Sequence, residues 1–207
     1  MVFEELMKYR ALSIFTFACL VGSANANLLT NPDFAIVGPT GPSTVNTGFG
    51  NVGWSGGQDW FVWHNTAGTS TTRLVDISNV MPPGVPSGAT TAIHMTADGP
   101  QNGLVQLFGG NPPVAEFDAW VYVVSGQVGL GVGNGGSTAT TVASTTLGKW
   151  EHLFTLNNTS PANEATIYST GPTEYFVTSA NVEAVPEPAS LAVVGLGVVA
   201  LLRRRRK

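Results

Sequence analysis

Aromatic side chains crowd one stretch of this chain: Trp54, Trp60, Phe61 and Trp63 lie close together, with Gln58, Asp59 and Asn65 among them. A flat ring clear of the core can stack on the apolar face of a sugar, and neighbouring amides and carboxylates can orient its hydroxyls. If the stretch is a strand, Trp60 and His64 share one face while Phe61 and Trp63 share the other, so at least one aromatic points away from the core. Trp54, Trp60 and Trp63 are therefore candidate carbohydrate-binding residues. The competing reading covers both faces, in a sandwich corner or under a loop. Trp120 and Trp150 lie in strongly apolar runs and read as core.

Patterns that could carry catalysis are weaker. Gly53-Trp54-Ser55-Gly56-Gly57 satisfies G-x-S-x-G, but a nucleophile elbow needs a helix directly after the serine, and 58–64 is strand-like. Gly131 to Gly136 satisfies G-x-G-x-x-G, yet phosphate binding there requires a helix N-terminus and Thr138-Ala139-Thr140-Thr141-Val142 starts a helix poorly. His64, His94 and His152 stand apart without metal-ligand spacing. Asp33, Asp59, Asp76, Asp98, Glu116 and Asp118 could supply a carboxylate pair for glycoside cleavage, a geometry that sequence cannot fix. No catalytic residue, metal site or cofactor is expected. The sequons in Asn157-Asn158-Thr159-Ser160 are read as a polar turn.

These residues must be positioned by strands. Short β-branched or aromatic runs bounded by Gly, Pro and Asn occur at 60–64, 73–77, 90–96, 103–108, 117–124, 127–133, 138–143, 149–156, 165–169 and 174–183. About ten strands over 27–184 predict an all-β fold, a β-sandwich of jelly-roll type. Ser125-Gly126 and Asn134-Gly135 separate such runs, and Asn-Gly favours a two-residue hairpin. Residues 38–50 and 81–89 read as Pro/Gly loops, and no fixed-period repeat is visible.

Composition narrows the class further. The chain has 207 residues, 43% apolar and 11% charged, with a single cysteine. From Asn27 to Ala184 ten carboxylates face only Arg73 and Lys149, a net charge of about −8, which excludes a basic nucleic-acid binder. Lys8 and Arg10, the apolar run 11–21 and Ala24-Asn25-Ala26 form a charged region, a short hydrophobic region and an A-x-A site. Residues 1–26 are read as a signal peptide cut after Ala26 by signal peptidase, with Met7 as an alternative start because Glu4 and Glu5 are odd in such a leader. Cys19 lies within it, leaving no thiol in the mature chain.

At the other end Val185-Pro186-Glu187-Pro188 precedes an uncharged apolar run, 189–202, and the basic cluster Arg203, Arg204, Arg205, Arg206 and Lys207. Fourteen helical residues rise about 21 Å, short of a roughly 30 Å hydrocarbon layer. Arginine and lysine stems reach outward to the headgroups and hold this end in the cytoplasm, so 189–202 is read as a transmembrane helix. Prolines on either side of Glu187 keep the motif extended.

These three parts, in this order, resemble the PEP-CTERM sorting signal of exosortase substrates in Gram-negative bacteria. The resemblance implies that a membrane-embedded exosortase recognises Pro186, Glu187 and Pro188, cleaves near them, and releases the domain to the cell surface or extracellular polymer. A permanent C-terminal anchor is the alternative. The span 27–184 is similar to galactose-binding-type jelly rolls, including carbohydrate-binding modules. That similarity rests on Asn27 to Phe34, Gly53-Trp54, Phe117 to Tyr122, Gly148 to His152 and Tyr175-Phe176-Val177. Ser179-Ala180-Asn181-Val182 lacks the aspartate usual before the closing valine, which weakens any inherited calcium or ligand role. The expectation is thus a non-enzymatic protein, exported across the inner membrane, transiently anchored, and then associated with extracellular polysaccharide. A carbohydrate-binding module with a specific glycan is the alternative, and a secreted hydrolase ranks below it.

Overall fold

The computed structural model describes residues 26–78, 85, 87–134, 137–157 and 161–185. The readings at Ala24, the leader, the sequons from Asn158 onward, Pro186, Glu187, Pro188, the apolar run 189–202 and Arg203 to Lys207 lie outside the described residues.

Among the described residues there are ten strands: β1 (Ser43–Trp54), β2 (Phe61–Asp76), β3 (Thr91–Ala97), β4 (Asn102–Leu107), β5 (Ala115–Ser125), β6 (Val128–Asn134), β7 (Ser137–Ala143), β8 (Trp150–Asn157), β9 (Glu164–Ser169) and β10 (Thr173–Ala184). Hydrogen bonding runs β7-β6-β9-β4-β2-β3-β10-β5-β8, with β1 alongside β2. All pairs are antiparallel. The sheet doubles over along β2. Its first residues, Phe61 to His64, pair with β4 in a front layer, and Ser70 to Asp76 pair with β3 in a rear layer. The result is an all-β sandwich.

Alternation drives the closure. In β6, Val128, Leu130 and Val132 point inward, as do Ala115, Phe117, Ala119, Val121 and Val123 in β5, and all are buried in one core with Leu104, Ile167, Ile93, Met95, Tyr175 and Val177. Each large apolar side chain so buried contributes about 1.5–3 kcal/mol. Burial without a charged partner pushes the Tyr175 phenol far above its ordinary range, so it stays protonated and donates to Met95 Sδ at 3.0 Å.

At the fold line His64 is fully buried. Its Nδ1 lies 3.1 Å from the Gly48 carbonyl and its Nε2 2.8 Å from Ser70 Oγ, so the ring donates to the first and accepts from the second. This histidine ties β1 to both halves of β2. It is a structural residue.

Three sequence expectations change. The runs 60–64 and 73–77 belong to one long strand, β2. Residues 43–50, read as loop, are the first part of β1, whose Val45 and Phe49 are 68% and 70% exposed. This edge strand is held by backbone pairing to β2, so it shows no apolar alternation. Ser125-Gly126 does not close a hairpin, because β5 pairs with β10 and β8 and the chain there crosses between layers. β6 and β7 do form one, with Asn134 opposite Ser137.

Candidate functional site

The front layer turns one set of rings outward. Because Val62 and His64 take the core side of β2, Phe61 and Trp63 stand on the outer face, half-buried. Trp54 lies opposite Phe61 across the β1–β2 ladder, and the two rings stack with centroids 4.1 Å apart and an interplanar angle of 29°. Trp63 is opposite Gly103, which is opposite Tyr168, which is opposite Gly129. A Cβ on Gly129 would lie 2.5 Å from the Tyr168 ring, so the tyrosine rests flat on bare backbone. Gly131 and Gly133 continue the same outward positions in β6. Glycine thus lies beneath Tyr168 and beside Trp63, while Phe61 stands opposite Val105.

Trp60 does not join them. It is fully buried, packs on Phe34 at 4.9 Å between centroids, and donates its indole N–H to the Asn31 carbonyl at 3.3 Å. Trp54 and Trp63 remain the outward members of the predicted set. Ser55, the serine of the G-x-S-x-G pattern, is also buried, bound to both backbone groups of Gly57 and followed by a strand. It forms no nucleophile elbow.

The rear layer carries a second aromatic surface that sequence reasoning missed. Arg73, His94, Phe176, Tyr122 and Trp150 stand directly opposite one another in turn, one from each of β2, β3, β10, β5 and β8. His94 stacks on Phe176 at 4.4 Å and 12°, Phe176 meets Tyr122 edge-on at 6.2 Å and 81°, and Tyr122 meets Trp150 at 5.7 Å and 67°. In the adjoining row Trp120 stacks on His152 at 4.8 Å and 20°. Trp120 and Trp150 are therefore outside the main core: half-buried on the outer side, they pack against a small second cluster of Ile77, Val85 and Ala92. The core side of β5 is taken by Ala119, Val121 and Val123, and alternation sends Trp120 and Tyr122 the other way. The period-two pattern of 115–123 was the available signal.

Polar groups flank these rings. His94 Nε2 is 2.9 Å from Glu174 Oε1, and His152 Nε2 is 2.8 Å from Asp118 Oδ1. Asn181 donates to Asp118 Oδ2 and to Glu183 Oε1, both at 3.1 Å. Glu116 sits opposite Glu183, and partial burial, then the charges of Glu183 and Asp118, raise its carboxyl above the ordinary range. Of the other carboxylates proposed for hydrolysis, Asp98 accepts from the Thr69 N–H and Asn102, and Asp76 is held by Ser78, whose hydroxyl and N–H lower it. Among the described residues no group of three His, Cys, Asp or Glu gathers to hold a metal ion.

Residues 184–207 match the family model described as a PEP-CTERM protein-sorting motif, so the chain carries that motif where the sequence placed it. No curated protein matches the chain. Among solved structures it is similar to an arabinose-bound α-L-arabinofuranosidase, MgGH51, with TM-score 0.52 and 13% identity over 79% of this chain. The chain spans only 27% of that enzyme. It is also similar to a sugar-binding protein from Bacteroides thetaiotaomicron VPI-5482, with TM-score 0.49 and 10% identity over 77% of this chain and 100% of the other. A third likeness is to the CBM22-1 xylan-binding domain of Paenibacillus barcinonensis Xyn10C, with TM-score 0.44 and 13% identity over 70% of this chain and 94% of that one. At these identities the likeness concerns fold alone.

Proposed function

We propose that this is an exported, non-enzymatic protein, sorted by exosortase through Val185 to Pro188 and cut near them, whose sandwich then stays with extracellular polysaccharide through its front face. The sorting half is supported by the motif match over 184–207. The observation that carries the binding half is the outward group of Trp63, Tyr168 over Gly129, and the Trp54–Phe61 stack. Rings held by strand pairing, with Asn51 opposite Trp63, give a sugar both a stacking surface and a hydrogen-bonding edge.

Processing fits the way the ends leave the domain. Ala26 is exposed, whereas Asn27 is pinned to β10: its side chain donates to the Ala180 carbonyl at 3.0 Å and accepts from the Val182 N–H at 3.0 Å. Cleavage after Ala26 would leave those bonds in place. At the other end the Val185 N–H donates to the Val114 carbonyl at 3.0 Å, and the remaining motif residues follow at once.

Mass spectrometry of membrane and secreted fractions tests the sorting half. The expected mature species starts at Asn27 and lacks 189–207; an intact tail in cells with active exosortase would overturn it. Retention on polysaccharide tests the binding half, with Trp63→Ala expected to weaken it while the fold persists. The second reading, a module with one defined glycan ligand, is favoured by the same outward rings and predicts that a single polymer is retained far better than others.

A further inference from the structure

We infer that the rear face is a second carbohydrate-binding surface, for an uncharged extended polysaccharide, so that the domain holds polymer on both of its outer faces. The inference extends the polysaccharide reading above but uses none of the front-face residues.

The row Arg73, His94, Phe176, Tyr122 and Trp150 crosses five strands, about 19 Å at the usual strand spacing. One stacked contact and two edge-on contacts join its four rings. Val85, Ile77 and Ala92 bury together against Val75, Trp120, Phe176 and Trp150, so part of the row is covered and Phe176 and Trp150 stay half-buried, while Tyr122, 9% exposed, serves as packing between them. The open contact surface is thus formed by His94 and the uncovered parts of Phe176, Trp150 and Trp120. Two imidazole–carboxylate pairs border it, and they stay accessible, the His152 side chain being 45% and Glu174 40% exposed. Each pair presents donors and acceptors already aligned, the pattern that reads neighbouring hydroxyls beside a stacked sugar.

Charge and composition choose among occupants. Glu116, Asp118, Glu174 and Glu183 lie on this same face, and the domain from 27 to 184 is net negative, so a polyanion is repelled. A flat protein partner would have to desolvate the two imidazole–carboxylate pairs among the rings, which costs free energy unless each is bonded again. A neutral, hydroxyl-rich chain meets both features without burying an unpaired charge. A domain with two such faces would bridge polymer strands, giving it a cross-linking role.

The test uses the purified full chain in mild detergent with soluble xylan, galactan and hydroxyethylcellulose as neutral polymers and alginate as the polyanion. Retardation in polymer-containing gels reads binding, and turbidity of the mixed solution reads bridging. Trp150→Ala and the milder His152→Ala, each checked by circular dichroism and thermal melting, are compared with Trp63→Ala. Wild type is expected to be retarded by, and to cloud, at least one neutral polymer. Both rear variants should lose the turbidity and weaken rear binding on the order of tenfold, while front-face retention persists. Wild-type turbidity in both rear variants overturns the inference, as does binding lost wholly on Trp63→Ala, preference for alginate, absence of binding to every neutral polymer, or a dimer that Trp150→Ala dissolves. If Trp63→Ala changes nothing while the rear variants abolish binding, the front-face reading fails and the rear site stands.

Discussion

The two outer faces of the sandwich carry similar side chains by different means. On the front, Trp54, Phe61 and Trp63 come from one antiparallel pair, and Gly103 in β4 and Gly129 in β6 flank the neighbouring Tyr168. On the rear, each ring comes from a different strand, and only the register of four ladders brings them into line. A local cluster tolerates shifts elsewhere in the sheet. A row assembled from every strand fails when any one of them slips, because a one-residue slip sends its ring to the core.

Substitutions can break or sharpen this contrast. The largest effect is expected for Trp60→Ala, which empties the shared core and should cost about 3–5 kcal/mol in denaturant unfolding, weakening both faces together. Its neighbour Trp63→Ala should leave stability within about 1 kcal/mol and affect the front alone; equal destabilisation by the two would refute the alternation on which both faces rest. Next, Gly129→Ala places a methyl 2.5 Å from the Tyr168 ring and should cost about 1–3 kcal/mol through overpacking. Polymer gels should then show weaker front binding and unchanged rear binding.

Smaller effects separate the charged borders. The Glu116 carboxyl is raised by burial and by Glu183 and Asp118, so the folded rear face holds its proton more tightly than the unfolded chain does. Stability from this group therefore falls as pH rises through its folded value, and Glu116→Gln should raise the melting temperature slightly at neutral pH but not in acid. Glu151 runs the other way. Burial raises it, but bonds from the N–H and hydroxyl groups of Thr145 and Thr146 outweigh that and leave it lowered. Its contribution is present above the unfolded value and lost as pH falls through the folded one. Glu151→Gln should flatten the acid limb of the melting curve, by well under 1 kcal/mol for so exposed a group.

The same contrast explains what sequence could reveal. Strands such as 117–124 and 127–133 were legible as β-branched or aromatic runs bounded by Gly, Pro and Asn, and the jelly-roll expectation followed from their number and spacing. The aromatic group at 54–63 was visible because its members are neighbours along the chain, though not that Trp60 would turn inward. The rear row was invisible for the opposite reason: Arg73, His94, Tyr122, Trp150 and Phe176 are scattered, and pairing partners are not written in any local pattern. Trp120 and Trp150 looked like core because hydrophobicity was weighed without parity. β1 was hidden because an edge strand rich in glycine and threonine needs no apolar stripe to pair.

β10 lies between β3 and β5, bonded on both sides, and its last ladder partner, Ala184, directly precedes the motif that begins at Val185. Among the described residues, then, no unpaired segment separates β10 from Val185. Any enzyme whose cleft grips more than a few residues ahead of Pro186 must first unzip the end of an interior strand, working against the Ala184–Ala115 pairing and the Val185 bond to Val114. Once the chain is severed, that end can close again like a latch, so the fold itself would draw the freed domain away from the protease.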